Sequence, residues 1–211
     1  MSSKREFAVA TIGKQPLRNR MIGIAALLLG IGCAPVQATA QQQSPGLRSP
    51  VVAVTYDLER AKTATNGGSG FWLQGGGVDI AFPVYKAFSI AGSFSGEHAS
   101  NIQPAVNLGK LSYLAGPRYT LGSPRFQVFG EGLFGGAHGF DSIFPATGGV
   151  TPTANSYAMQ LGGGLDIPFG NGFQVRAFEA HYVHTALPNN GTNSQNDLRL
   201  AFGVSYRFHQ K

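Results

Sequence analysis

The sequence predicts an all-β protein, a single eight-stranded antiparallel up-and-down transmembrane β-barrel. Three observations lead there. Long extended segments alternate large apolar with small or charged residues at a period of two, as strands with two unlike faces require. The connections between them alternate short and long through an even number of strands. No stretch after residue 40 approaches the ~20 uninterrupted apolar residues that a membrane helix needs, so a chain of this kind meets a bilayer through strands.

The elements follow in order from the N-terminus. "RNRMIGIAALLLGIG" places Arg18 and Arg20 before a short apolar run, and "ATAQQQ" follows with small residues at Ala38 and Ala40. A positive start, a short apolar middle and a small-x-small site form a secretory signal over residues 1–40, with cleavage expected after Ala40. The only cysteine, Cys33, falls in that segment, so the exported chain has neither disulfide nor thiolate chemistry. Residues 41–49, "QQQSPGLRS", are a polar lead-in without periodicity. The barrel is expected over residues 50–208, with a short tail at 209–211.

Charge supports the same division. The formal +6 of the 211 residues is concentrated at the start, where five basic residues face Glu6; after residue 40 there are 11 basic and 9 acidic residues. The near-balance and the lack of a Lys/Arg run give no footprint for nucleic acid. Only 12 % of residues are charged, well under the ~25–35 % of a water-facing surface.

Eight extended segments are expected at about residues 51–60, 70–82, 87–97, 107–121, 125–138, 155–167, 172–185 and 196–208. They exceed the ~5–6 residues usual for soluble strands and suit the ~9–11 that cross the hydrocarbon core at a tilt. "PVYK", "GSP" and "PFGN" make tight turns after strands two, four and six. The other connections, "AKTATNGGS", "HASNIQPAV", "GFDSIFPATGGVTPTA" and "ALPNNGTNSQ", are longer. Both termini then lie on the side of the short turns, facing the periplasm.

The two faces are assigned by magnitude. In "NDLRLAFGVSYRF", Leu198, Leu200, Phe202, Val204, Tyr206 and Phe208 share one face, and Asp197, Arg199, Ala201, Gly203, Ser205 and Arg207 the other. An arginine on the lipid face at the midplane costs ~2–4 kcal/mol, so the charged face turns inward. Asp57, Asp79, Glu131, Asp166 and Glu179 are then set to answer Arg118, Arg176, Arg199 and Arg207 within a lumen just wide enough for side chains. "FQVRAFEAHYV" breaks phase and calls for a bulge near Ala177; "FQVFGEGLFGG" suggests another around Gly130. Trp72, Tyr113, Tyr119, Tyr157, Tyr182 and Tyr206 are candidates for two interfacial girdles.

With these residues in view, the region from about Pro50 to Phe208 resembles a small eight-stranded bacterial outer-membrane β-barrel of the OmpA/OmpX type. The last strand, "LRLAFGVSYRF", is similar to the terminal strand of that class, which commonly ends on phenylalanine. The resemblance implies an outer-membrane location, surrounding lipid as a partner, and Phe208 as the residue read by the barrel-assembly machinery. His209, Gln210 and Lys211 follow it, a departure from the pattern. An extracellular ligand of unidentified chemistry at the loops is the remaining partner.

No catalytic, cofactor or metal site is expected. His181 and His184 of "HYVH" point to opposite faces of a strand and cannot jointly hold an ion. "GSG" and "GGG" lack the strand-to-helix setting of a nucleotide loop and are read as room for curvature and large neighbours. "NGT" at Asn190 is read as turn composition. Barrels resembling lipid A deacylases carry a His-x-Ser pair, whereas His181 is followed by Tyr182-Val183 and His184 by Thr185-Ala186, leaving the base no nucleophile. The function expected is structural or surface interaction through the loops, with Phe140, Ile143 and Phe144 of the third loop as apolar contacts. A lipid-modifying acyl hydrolase, a small-solute pore and a soluble lipocalin-like barrel are the alternatives.

Overall fold

The computed structural model describes residues 49–62, 70–103 and 106–208. The signal segment with Ala38, Ala40 and Cys33, most of the lead-in, and the tail 209–211 lie outside the described residues. Ten strands are present: β1 (Val51–Lys62), β2 (Gly70–Tyr85), β3 (Phe88–Gln103), β4 (Val106–Gly122), β5 (Gln127–Phe140), β6 (Phe144–Ala146), β7 (Gly149–Thr151), β8 (Ala154–Gly170), β9 (Phe173–Thr185) and β10 (Gln195–Arg207). Eight of them close an antiparallel barrel in the order β1-β10-β9-β8-β5-β4-β3-β2. Closure pairs β1 with β10, from Val51 opposite Arg207 to Arg60 opposite Leu198. Every barrel strand therefore has two neighbours, which removes the free edges an open sheet would expose.

The barrel strands run from 12 to 17 residues, longest where they rise beyond the expected bounds. β3 extends to Gln103 rather than stopping at Glu97, with a register irregularity between Ala99 and Gln103. The third long connection also holds more order than expected, because β6 and β7 pair as a small hairpin, Phe144 opposite Thr151. Its turn uses Gly148 and Gly149 at φ 85° and 157°. The short turns are tight as expected. Asn171 and Gly172 join β8 to β9 at φ 50° and 85°, the doubly left-handed pair that matches the twist of a hairpin.

Facing alternates as the period of two requires. Lys110, Ser112, Leu114 and Arg118 of β4 are buried while Tyr113, Ala115, Pro117 and Tyr119 are exposed. In β10, Asp197, Arg199, Ala201 and Ser205 are buried and Leu198, Phe202 and Val204 exposed. The bulge in β9 is real. Leu165 opposes Phe178 and Asp166 opposes Arg176, so Ala177 is the extra residue, and Ala177 and Phe178 both face out.

The bulge expected at Gly130 is absent. β5 keeps an unbroken register with β8 from Gln127 opposite Asp166 to Gly139 opposite Ala154. Phe129 and Leu133 instead point inward, at 4 % and 0 % exposure. The rule that large apolar groups face lipid fails here because the lumen itself accepts an aromatic ring packed against two cations.

The outer surface carries a belt of exposed apolar side chains, among them Val54, Val78, Phe94, Phe134, Leu161, Phe202 and Val204. A patch of this extent on a surface in water would mark an aggregation hazard; around a closed barrel it is a lipid-facing band. At the end with the short turns, Phe169, Phe173, Tyr206 and Phe208 form a ladder with ring centroids 6.0, 4.9 and 5.0 Å apart. Phe88 and Tyr119 pair at 4.7 Å at the same end. Trp72, Tyr157 and Tyr182 mark the opposite rim, whereas Tyr113 lies mid-strand, so it belongs to neither girdle.

Candidate functional site

The barrel encloses most of the charged side chains of the described residues. Asp57, Glu59, Asp79, Glu97, Glu131, Asp166, Glu179 and Asp197 are all buried, and so are Lys110, Arg118, Arg176, Arg199 and His181. Asp141 is the one carboxylate among the described residues left on the surface. The nine charged residues expected inside are thus there, with Arg207 half-buried at the turn end. Asp197, on the same inward face as Arg199, is buried with them, and so are Glu59, Glu97, Lys110 and His181, which the inward parity of their strands also dictates.

Around Arg176 the interior is tightly bonded. Its Nε and NH2 donate to the two carboxylate oxygens of Asp166 at 2.9 and 3.2 Å. NH1 donates to Asp79 at 2.6 Å and to Glu179 at 2.8 Å. Arg118 donates from Nε to Glu131 at 2.6 Å. Both guanidinium groups lie over the ring of Phe129, at 4.4 Å for Arg118 and 4.6 Å for Arg176. An aromatic face attracts cations electrostatically, by ~2 kcal/mol or more when water is excluded. Phe129 thus packs against both cations, which also share the carboxylate of Asp79 at 3.9 and 2.6 Å.

His181 joins this layer to the next. Its Nε2 is 3.1 Å from Glu131 and its Nδ1 3.2 Å from Glu179. Inward glycines make room for the rings: a Cβ at Gly162 would come within 2.5 Å of His181 Cδ2, and one at Gly164 within 2.9 Å of the Phe129 ring. The donor atoms of Glu131, Glu179 and His181 lie within 4.8 Å of one another, a grouping compatible with metal ligation. Both carboxylates already pair with guanidinium groups, so an added cation would compete with charge present in the fold. His184 faces the other way and meets Asn196 at 2.8 Å through Nδ1.

Toward the long connections the packing loosens. Arg199 NH1 is 4.0 Å from Asp57 and 3.8 Å from Glu97, and NH2 is 3.6 Å from Glu179. Its hydrogen bond goes to Ser95 Oγ at 3.1 Å. Lys110 is ion-paired with Glu59.

Above this layer the interior becomes apolar. Ala61, Leu73 and Ala99 form a buried cluster against Phe71, Ile102 and Leu108. Over it opens a chamber of about 300 Å³, closed on its other side by Phe144 of the β6–β7 hairpin and by Leu187. Phe144 and Leu187 are 5 % and 6 % exposed, whereas Ile143 stands at the rim at 59 %. A second hollow of about 340 Å³ shares Lys62, Asn189 and Gln195 with the first and is otherwise lined by Gly191, Thr192, Ser194, Asn196 and Asp197.

A closed eight-stranded barrel with an apolar outside and a charged, filled inside has the fold of the small outer-membrane β-barrels. Two solved structures share it: the attachment invasion locus protein Ail of Yersinia pestis, 18 % identical with a TM-score of 0.53, and Neisserial surface protein A, 11 % identical with a TM-score of 0.57. The alignments cover 76 % and 75 % of this chain and 99 % and 97 % of the respective neighbours. Ail has also been crystallised with the heparin analogue sucrose octasulfate. No protein-family model and no curated protein matches the sequence.

Proposed function

We propose that the protein resides in a bacterial outer membrane, where its barrel is a sealed anchor presenting four connections to the outside for surface interaction. The observation that carries this reading is the lumen: buried ion pairs cross it from β2 and β5 to β9, from β3 to β10 and from β4 to β1, leaving an eight-stranded barrel no open bore. In planar bilayers the folded protein is expected to give no stable conductance steps. Large, persistent steps would replace the anchor by a pore.

The chemistry of the connections narrows the contact. Residues 63–69, 104–105 and 186–194 contain no Asp, Glu, Lys or Arg, and residues 141–153 contain only Asp141. A polyanion such as the one seen on Ail needs clustered cations, which these segments lack. They offer amides, hydroxyls and apolar groups, and so favour an uncharged contact surface.

The role is read as non-catalytic. Both ring nitrogens of His181 face carboxylates and His184 meets an amide, so neither is engaged with a hydroxyl nucleophile. Incubation with labelled lipopolysaccharide should release no acyl chain; release lost on changing His181 would establish an enzyme. Assembly through the barrel-assembly machinery is assigned to Phe208. Its ring is 47 % exposed beside Tyr206, and its N–H donates to Pro50 at 3.0 Å, just past the closing strand. Phe208→Ala should lower the outer-membrane yield several-fold while the protein refolded in detergent keeps its stability.

A further inference from the structure

We infer that the mouth of the barrel is a binding site for a single-chain amphiphile with an uncharged, hydroxyl-rich head, of the alkyl glycoside class. The two adjoining hollows differ in polarity and share a wall. The apolar chamber, floored by Phe71 and Leu108 and walled by Phe144 and Leu187, has about 300 Å³, the lower end of small-ligand sites at ~300–1,000 Å³. The polar hollow of about 340 Å³ presents Asn189, Thr192, Ser194, Gln195 and Asn196. A molecule occupying both must be apolar at one end and rich in hydrogen-bonding groups at the other.

Charge selects the head. Among the described residues, Lys62 is the only charged one lining the apolar chamber, and the polar hollow adds Asp197. One cation and one anion cancel, so neither a carboxylate nor an ammonium head gains a net field. Hydroxyl groups can use both, donating to Asp197 and accepting from Lys62. The walls are set before any ligand arrives. Asn189 Oδ1 accepts from the N–H groups of Gly191 and Asn193 at 3.0 Å each, and Gln195 donates to the carbonyl of Leu187 at 2.9 Å. Such preorganisation lowers the ordering cost of binding.

The occupant comes from the aqueous side. Ala61, Leu73 and Ala99, beneath the chamber, are inward, buried positions of the barrel, which a lipid in the surrounding bilayer does not contact. The site stands whether or not the loops also engage a macromolecule.

The test uses the folded protein in phospholipid nanodiscs with labelled Ile and Leu methyl groups. Decyl maltoside is added below its micellar threshold, with maltose, decanoate and decylammonium as comparisons. Saturable shifts at Ile143 and Leu187, with Leu198 on the outer face following bulk partitioning, are the expected result. Leu187→Glu should weaken binding at least about tenfold, and Asn189→Ala by about threefold. Each variant is first checked for the heat-dependent gel mobility of a folded barrel, and Ile143→Asp at the exposed rim serves if Leu187→Glu does not fold. Shifts that rise linearly and in step with Leu198, or equal saturation by decanoate or decylammonium, would overturn the assignment.

Discussion

Toward the short turns, Arg176 holds three carboxylates at 2.6 to 2.9 Å and lies over an aromatic ring. Toward the long connections, Arg199 stands 3.6 to 4.0 Å from its three carboxylates and makes its closest contact with a serine hydroxyl. The two layers draw on the same residue types and share Glu179. A contact beyond ~3.5 Å is no hydrogen bond, so Arg199 keeps the Coulomb attraction to its carboxylates and loses the directional part, while Lys110 still donates to Glu59. The lesson is that the lumen is graded: a tightly bonded plug at one end, a looser ionic layer above it, then an apolar chamber open to the connections.

Breaking the tight layer should have the largest effect. Arg176→Met leaves Asp79, Asp166 and Glu179 without their shared cation, and removing one partner of a buried pair costs ~3–5 kcal/mol. Buried carboxylates outnumber buried Lys and Arg, eight against four, so no spare cation can take over. Urea unfolding in lipid vesicles should show the loss. A cost under about 1 kcal/mol would mean that the two layers do not differ.

Phe129→Leu comes next. It retains an apolar side chain but removes the ring over which Arg118 and Arg176 both lie. The expected cost is ~1–3 kcal/mol, from lost packing and the cation–π terms. An equal cost for Leu133→Met, which faces inward from the same strand without a cation over it, would show that volume alone matters.

These comparisons also mark what the sequence could tell. The closed barrel, the facing of its strands and the Ala177 bulge were legible because one misplaced charge costs more than any local propensity. Phe129 was not, since a periodic rule sorts residues by polarity and cannot see two guanidinium groups arriving from β4 and β9. The β6–β7 hairpin was missed for a different reason: its strands have three residues each, too short for alternation to register. The mouth chamber was invisible too, because Phe71, Leu108, Phe144 and Leu187 come from four separate segments brought together only by closure.

The looser layer supplies the smallest effect and the sharpest contrast. Arg199→Met should cost ~1–3 kcal/mol, below Arg176→Met, because only the Ser95 hydrogen bond is lost outright. Asp57→Asn should cost less than ~1 kcal/mol or stabilise. It removes one negative charge from an interior where acids are in excess, and the carboxylate it replaces is 4.0 Å from its cation. In the tight layer the matching change, Asp166→Asn, abolishes a two-pronged ion pair and should cost more than ~2 kcal/mol. Measured side by side in vesicles, the two Asp→Asn variants separate charge balance from hydrogen bonding. If Asp57→Asn proves the more damaging, the gradient along the lumen runs the other way.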